Sequence, residues 1–334
     1  MFFSGKALDE KLSFVIQMDY SSTDPLVEAF IGYHFNEKTA LYFGQMQVSH
    51  NNLEMVHNED QLRFTDRGMI SQTFSGAGEE FGLFLESSFG NSFVIEPKIA
   101  ITSGDGRNSF GEDSRDSDKG GVKLGSRINF YPFGHFAQGN QLTTVDLEGE
   151  EKLKAQLGFA FSKNFGASNL VGDGHGDFIL YDSTGNEQYP DYSQLFFDLN
   201  LKYRGFSFVF EYADATASDL EYIFTDPNGF NILNPTQISE YLILGDSQGI
   251  QFGYLTKNGL SFDFIYEQFN PEFDLNLNSI LRESTNLGIG VSKYIVGNKL
   301  KLQASAFKTN YKNSVEGLDD DEFMSAAFLV QIAF

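Results

Sequence analysis

The sequence predicts an all-β fold: a transmembrane antiparallel β-barrel that crosses its membrane with strands. Three observations predict it. Period-two alternation of apolar and polar residues recurs along all 334 residues. The alternating segments run about ten residues, which at roughly 3.3 Å per residue and a tilt near 40° spans about 25 Å, the height of a membrane barrel's apolar band. Strands of a soluble sandwich are usually nearer five or six residues. The connections also alternate between short and long, as turns and loops do at the two ends of such a barrel.

The elements follow in order. Leu12, Phe14, Ile16, Met18 and Tyr20 share one face, opposite Ser13, Gln17 and Asp19. Phe93, Ile95, Ile99 and Ile101 oppose Glu96, Lys98 and Thr102. Leu124, Ile128 and Phe130 oppose Lys123, Arg127 and Asn129. Leu153, Leu157, Phe159 and Phe161 oppose Lys154, Gln156 and Ser162. Leu195, Phe197, Leu199 and Leu201 oppose Gln194, Asp198, Asn200 and Lys202. Phe206, Phe208, Phe210 and Tyr212 oppose Ser207 and Glu211. Leu260, Phe262, Phe264 and Tyr266 oppose Ser261, Asp263 and Glu267. Leu300, Leu302, Ala304 and Ala306 oppose Lys299, Lys301, Gln303 and Ser305. Short connections fall at 36–38, 90–91, 204–205, 257–259 and 296–298, and long ones at 51–78, 104–120, 164–191, 214–246, 270–282 and 309–321. Two break the rule: 21–25 is short where a loop is due, and 132–151 is long where a turn is due. This gives about fourteen strands in one domain, 1–334, with no repeat, heptad or linker dividing it.

Composition narrows the function. The chain has no cysteine, so it has no disulfide, thiolate metal site or cysteine nucleophile. Its net charge of −23 opposes nucleic-acid binding. The mean hydropathy of −0.25 looks soluble, but it averages a lipid-facing set rich in phenylalanine (36 residues) with a polar lumen and acidic loops. His34, His50, His57, His135 and His175 show no metal spacing, and no GxSxG elbow appears. The glycine-rich 172–177 lacks the ending of a phosphate loop. No enzyme, cofactor or metal is therefore expected. Acids cluster in two loops: Asp105, Glu112, Asp113, Asp116 and Asp118 in one, Asp319, Asp320, Asp321 and Glu322 in the other. A divalent cation bridging lipopolysaccharide competes there with a solvated loop. The start has no basic and apolar leader, so either a signal was removed or the chain begins inside a longer one.

Several segments, in order, carry a family resemblance. They are LYFGQMQVS at 41–49, Leu53-Glu54, DQLRFTDRG at 60–68, SGDGRN at 103–108, RINFYPFG at 127–134 and NLGIGVSKYIVGNKLKLQ at 286–303. Together they resemble the phosphate-selective porin O and P family. The alternating end closing on Phe334 resembles the sorting signal read by the outer-membrane barrel-assembly machinery. The resemblance implies a 16-stranded homotrimeric porin in the outer membrane of a Gram-negative bacterium, in contact with lipid and lipopolysaccharide, with the loop at 51–78 folded into the lumen. An arginine pair usual in the family's first strands is absent, so the chain either lacks those strands or closes a smaller barrel of fourteen. Unpaired edges in lipid are costly.

The resemblance brings a set of pore-lining candidates: Arg63, Arg67, Arg127, Glu54, Asp60, Lys98 and Glu96. The arginines either bind anions and polarise the constriction, or pair with Glu54, Glu59, Asp60 or Glu96 and hold the loop to the wall. Lys98, Lys123, Arg127, Lys154, Lys202, Lys299 and Lys301 face Asp19, Glu28, Glu86, Glu96, Asp198, Glu211, Asp263 and Glu267 across the inferred lumen. That mixture implies passive diffusion of small hydrophilic solutes or ions with weak, slightly cation-preferring selectivity, and it argues against phosphate. A structural or docking barrel with a blocked pore is the main alternative. A barrel enzyme and a soluble glycan-binding β-protein are two further ones.

Overall fold

The structure, a computed structural model, describes residues 1–334 except 24, 77, 109–121, 172–177, 313–321 and 334. It holds sixteen strands: β1 (Phe2–Ala7), β2 (Leu12–Met18), β3 (Leu26–Asn36), β4 (Thr39–Gln47), β5 (Glu79–Ser87), β6 (Phe89–Gly90), β7 (Val94–Thr102), β8 (Lys123–Tyr131), β9 (Lys154–Asn164), β10 (Asp191–Tyr203), β11 (Phe206–Ser218), β12 (Gly245–Leu255), β13 (Leu260–Pro271), β14 (Ser284–Val296), β15 (Leu300–Tyr311) and β16 (Glu322–Ile332). Two short helices, α1 (Leu53–Val56) and α2 (Met69–Phe74), lie between β4 and β5. No described helix is long and apolar enough to cross a membrane.

Each strand pairs antiparallel with the next, in one sheet from β1 to β16, except that β5 pairs with β7 and the two-residue β6 pairs only with β7. From β8 to β15 the inner face is largely buried and polar, and the outer face is largely exposed and apolar, whereas the end strands β1 and β16 are exposed on both faces. On β8, Lys123, Gly125, Arg127 and Asn129 are buried while Leu124 is exposed. Phe159, Phe161, Leu195, Phe206, Phe252, Phe262 and Ile289 all face outward and are exposed. A strand takes this inside-out pattern when the medium outside is apolar and the enclosed space is wet. The period of two then fixes register, because a slip of one residue would turn every charge outward.

The alternation of turns and loops is as the sequence predicts. The hairpin at Arg204-Gly205 shows why a turn can be so short: both residues have positive φ, 49° and 85°, whose twist matches the flanking strands. The long loops over β9–β14 enclose an apolar cluster in which Phe74 of α2 packs with Phe196, Leu180, Ile223, Ile238, Leu242 and Phe269.

The strand count differs from fourteen. The sequence reading misses β1 and the short β6. β1 offers only six residues, with Phe3, Gly5 and Ala7 alternating against Phe2, Ser4 and Lys6, too little contrast to register as a pattern. Closure with fourteen strands is not what the sheet does. The path holds fifteen strands besides β6, β1 and β16 run in the same direction, and no described pairing joins them. The roles expected of Phe334, of the acids at 112–118 and 319–321, and of 172–177 fall outside the described residues.

Candidate functional site

The lumen is the site. Residues 48–78, the connection between β4 and β5, enter from the long-loop end and cross the enclosed space. Val48, His50, Asn52, Leu53, Glu54, Leu62, Arg63, Phe64, Ile70 and Phe74 are all buried there. A loop carrying this much polar backbone can be buried only if the wall satisfies it, and the inward side chains do so. Lys301 donates to the carbonyls of Asp60 and Leu62 at 3.0 Å each. Gln303 donates to Arg63 O at 2.9 Å. The Glu267 carboxylate accepts from the Met69 and Ile70 N–H groups, at 3.0 and 2.8 Å, at the start of α2.

Three consecutive loop residues show how the fit arises. Ser207, Gly253, Asp263, Gly290 and Ser305 lie in one row across β11 to β15, each opposite the next. Arg63 lies over Gly253, with Nη1 3.1 Å from Asp263 Oδ1 on one side and Nη2 2.8 Å from Ser207 Oγ on the other. The Phe64 ring lies over Gly290. The Thr65 N–H donates to Ser305 at 3.1 Å. Arg127 repeats the device on the wall itself. It reaches from β8 over Gly158 of β9 to Asp198 of β10 at 2.6 Å, and donates to Asn51 O of the loop at 3.0 Å. In both places a side chain at the glycine would occupy the space of the ion pair.

The arginines pair, but not with the acids nearest in sequence. Arg63 takes Asp263 and Arg127 takes Asp198. Arg67 donates to the carbonyls of Glu54 and His57 at 2.7 and 3.0 Å. Glu54 is buried and accepts from Gly68 N at 2.6 Å, Ser71 Oγ at 2.7 Å and Gln251 Nε2 at 3.2 Å. The Asp60 side chain accepts from its neighbour Gln61 at 2.8 Å. The physical reason is distance across the barrel: the loop meets the far wall, so its partners come from strands far away in sequence. Lys123 pairs with Glu80 at 2.7 Å, and Lys98 with Glu86 at 2.9 Å. Glu96 lies 3.6 Å from His135. Asp19 and Lys299 are exposed outside the lumen-facing set.

The loop leaves space along the wall. One cavity of about 160 Å³ lies between His57 of the loop and Glu96, Lys98, Arg127 and Gln156 of the wall. A second, of about 250 Å³, runs toward the turn end past His34, Tyr42 and Glu86 and shares Glu96 and Lys98 with the first. A vestibule of about 1560 Å³ opens among the turns at that end, bordered by Asp146, Glu148, Arg204, Lys257, Asn298 and Gln61. The candidates thus divide. Lys98, Glu96 and Arg127 border the open cavities, whereas Arg63, Glu54 and Asp60 hold the loop. Sequence reasoning misses the role of Lys202 and of the long turn-end connection. Its oddity was visible as a length out of place.

No family model and no curated protein matches the chain. Among solved structures, the chain is 12% identical to the outer membrane channel DcaP of Acinetobacter baumannii, covering 97% of this chain and 80% of that one with a TM-score of 0.53. It is 11% identical to OmpT, an outer membrane protein of Vibrio cholerae in its trimer form, covering 97% and 86% with a TM-score of 0.49. The likeness to DcaP shows the fold, an antiparallel transmembrane-type β-barrel.

Proposed function

We propose that this chain is a bacterial outer-membrane porin, one barrel domain through which small hydrophilic solutes or ions diffuse passively with weak selectivity. The observation that carries the reading is the polar segment 51–78, folded into the lumen as a constriction and leaving charged cavities against β3–β9. Glu96, Lys98 and Arg127 border the route, while Arg63, Arg67, Glu54 and Asp60 fix its shape. Balanced pairs, Lys98 with Glu86 and Lys123 with Glu80, give no ring of one sign, which supports weak rather than strong selection. The fold likeness to a channel supports the same class. The ordered segments quoted above support membership of the phosphate-selective porin O and P family, without its phosphate preference. OmpT forms a trimer, and a homotrimer in contact with lipopolysaccharide is the assembly we propose here. Catalysis plays no part in this reading.

Planar-bilayer recording tests it. Reconstituted protein should give single-channel steps, with a cation-to-anion permeability ratio near or slightly above one in KCl gradients. Silence would sink the diffusion reading and favour a structural or docking barrel. That second reading draws on how much of the lumen the inward segments fill. A strong preference for phosphate would overturn the weighing of the lumen charges.

A further inference from the structure

The connection between β8 and β9 stands out among the turns. Residues 132–153 sit at the end where the neighbouring connections, 204–205 and 256–259, take only a few residues. They fold inward. Phe136, Asn140, Thr143, Thr144, Val145 and Asp146 are all buried. Lys202 of β10, itself fully buried, holds the segment by donating to Asn140 O and Thr143 O at 2.5 Å each, with its ammonium 4.6 Å from the centre of the Phe136 ring. Asp146 holds it from below, accepting from Gly205 N at 2.7 Å, Asn140 Nδ2 at 2.8 Å and Glu150 N at 3.0 Å. The Arg204 N–H donates to Glu150 O at 2.8 Å.

This segment also meets the loop that comes from the other end. Thr143 Oγ1 donates to Gln61 O at 3.0 Å, and Arg63 Nη2 donates to Thr144 O at 2.8 Å. The two pieces form a partition. Asp146, Glu148 and Gly149 border the vestibule, while Gln141 and Leu142 of the same segment border the inner cavity with His57 and Arg127.

We propose that residues 137–150 are a second constriction element, entering from the turn end, and that Lys202 is its positioning residue. This rests on the porin reading and extends it: a solute passes between Leu142 and the wall at Glu96 and Lys98, so 137–150 sets the size limit as much as 51–78 does. Burial of the ammonium is worthwhile only because two carbonyls and an aromatic face replace its water. The segment is thus fixed rather than draped.

The chain has no cysteine, which makes single-cysteine labelling clean. In planar bilayers, a variant with 138–149 replaced by Asn-Gly should conduct about twofold more than the intact protein or better, and pass larger polyethylene glycols. Lys202→Met should move in the same direction. Modification of Leu142→Cys with a charged thiol reagent added from the turn side should cut the current by about a third or more. If the shortened variant does not fold, the Leu142→Cys arm decides alone. Equal conductance in intact and shortened proteins, with no effect of the reagent, overturns the second constriction and leaves the diffusion reading standing. Silence from every protein overturns both. A silent intact protein beside a conducting shortened one supports the partition and refutes free diffusion.

Discussion

Removing the Arg63 guanidinium should unseat the inward loop between β4 and β5. Arg63→Met keeps the length and apolar stem of the side chain but leaves the Asp263 carboxylate buried without its cation. It also strips donors from Ser207 and Thr144. Breaking one partner of a fully buried pair costs about 3–5 kcal/mol. At about 1.4 kcal/mol per decade, the ratio of unseated to seated loop rises by about two to three and a half decades. The strands keep their ladder bonds, so this change falls on the loop rather than on the barrel. Single-channel recordings should show a larger mean current with frequent excursions to higher levels. Asp263→Asn added to Arg63→Met removes the orphaned charge and should restore part of the quiet record, a coupling that a double-mutant cycle reads directly. Gly253→Ala should mimic Arg63→Met, because its methyl group would overlap both Arg63 and Asp263. A record for Arg63→Met identical to that of the unaltered protein would refute the reasoning. So would a double variant noisier than the single one.

Three further outcomes are expected. Gly158→Ala should lower barrel stability by about 1–3 kcal/mol in a urea series, since the new methyl group overlaps the Arg127–Asp198 pair, and an unchanged midpoint would contradict that placement. Lys98→Glu puts a third acid beside Glu86 and Glu96 at the shared edge of the two cavities, so the cation-to-anion permeability ratio should rise about two- to fivefold, and no change would mean that ions travel elsewhere. On the exposed turn at 182–186, the Thr184 hydroxyl and the backbone N–H groups of Asn186 and Thr184 hold the Asp182 carboxyl down from 3.8 to about 2. A depressed carboxyl stabilises above its unfolded value and loses that contribution as pH falls toward about 2. Amide exchange at 184–186 should therefore stay protected at pH 4 and open only nearer pH 2, and early opening would count against it.

Most of the fold was legible because a barrel strand writes its environment into every second residue. β8 and β10 could be assigned to faces from Arg127 and Asp198 alone. The charge partners were not legible by proximity. Arg127 and Asp198 are 71 residues apart, and Arg63 and Asp263 are 200 apart. Short-range reasoning favoured Glu54, Glu59 and Asp60, which the loop uses for its own turns or leaves at its edge. One signal was available: inward-facing glycines at Gly158 and Gly253, each flanked on a neighbouring strand by an inward-facing acid. A gap beside a carboxylate inside a polar lumen is a seat for a cation. β1 was missed because small residues carry little contrast. The inward turn of 137–150 was missed because a length out of place says where to look without saying which way the chain folds.

The row Ser207, Gly253, Asp263, Gly290 and Ser305 has a consequence for how the loop can move. The wall is a relief of the loop, cut one strand at a time. Moving residues 63–65 sideways by a single strand would set the Arg63 guanidinium on top of the Asp263 side chain instead of in the Gly253 hollow beside it, and the Phe64 ring against the Ser305 hydroxyl. No intermediate position offers matched partners. The loop therefore has one seat and a detached state, with nothing graded between them. Its movements should register as discrete current levels, in the manner of a key lifted from a lock rather than a valve slowly turned.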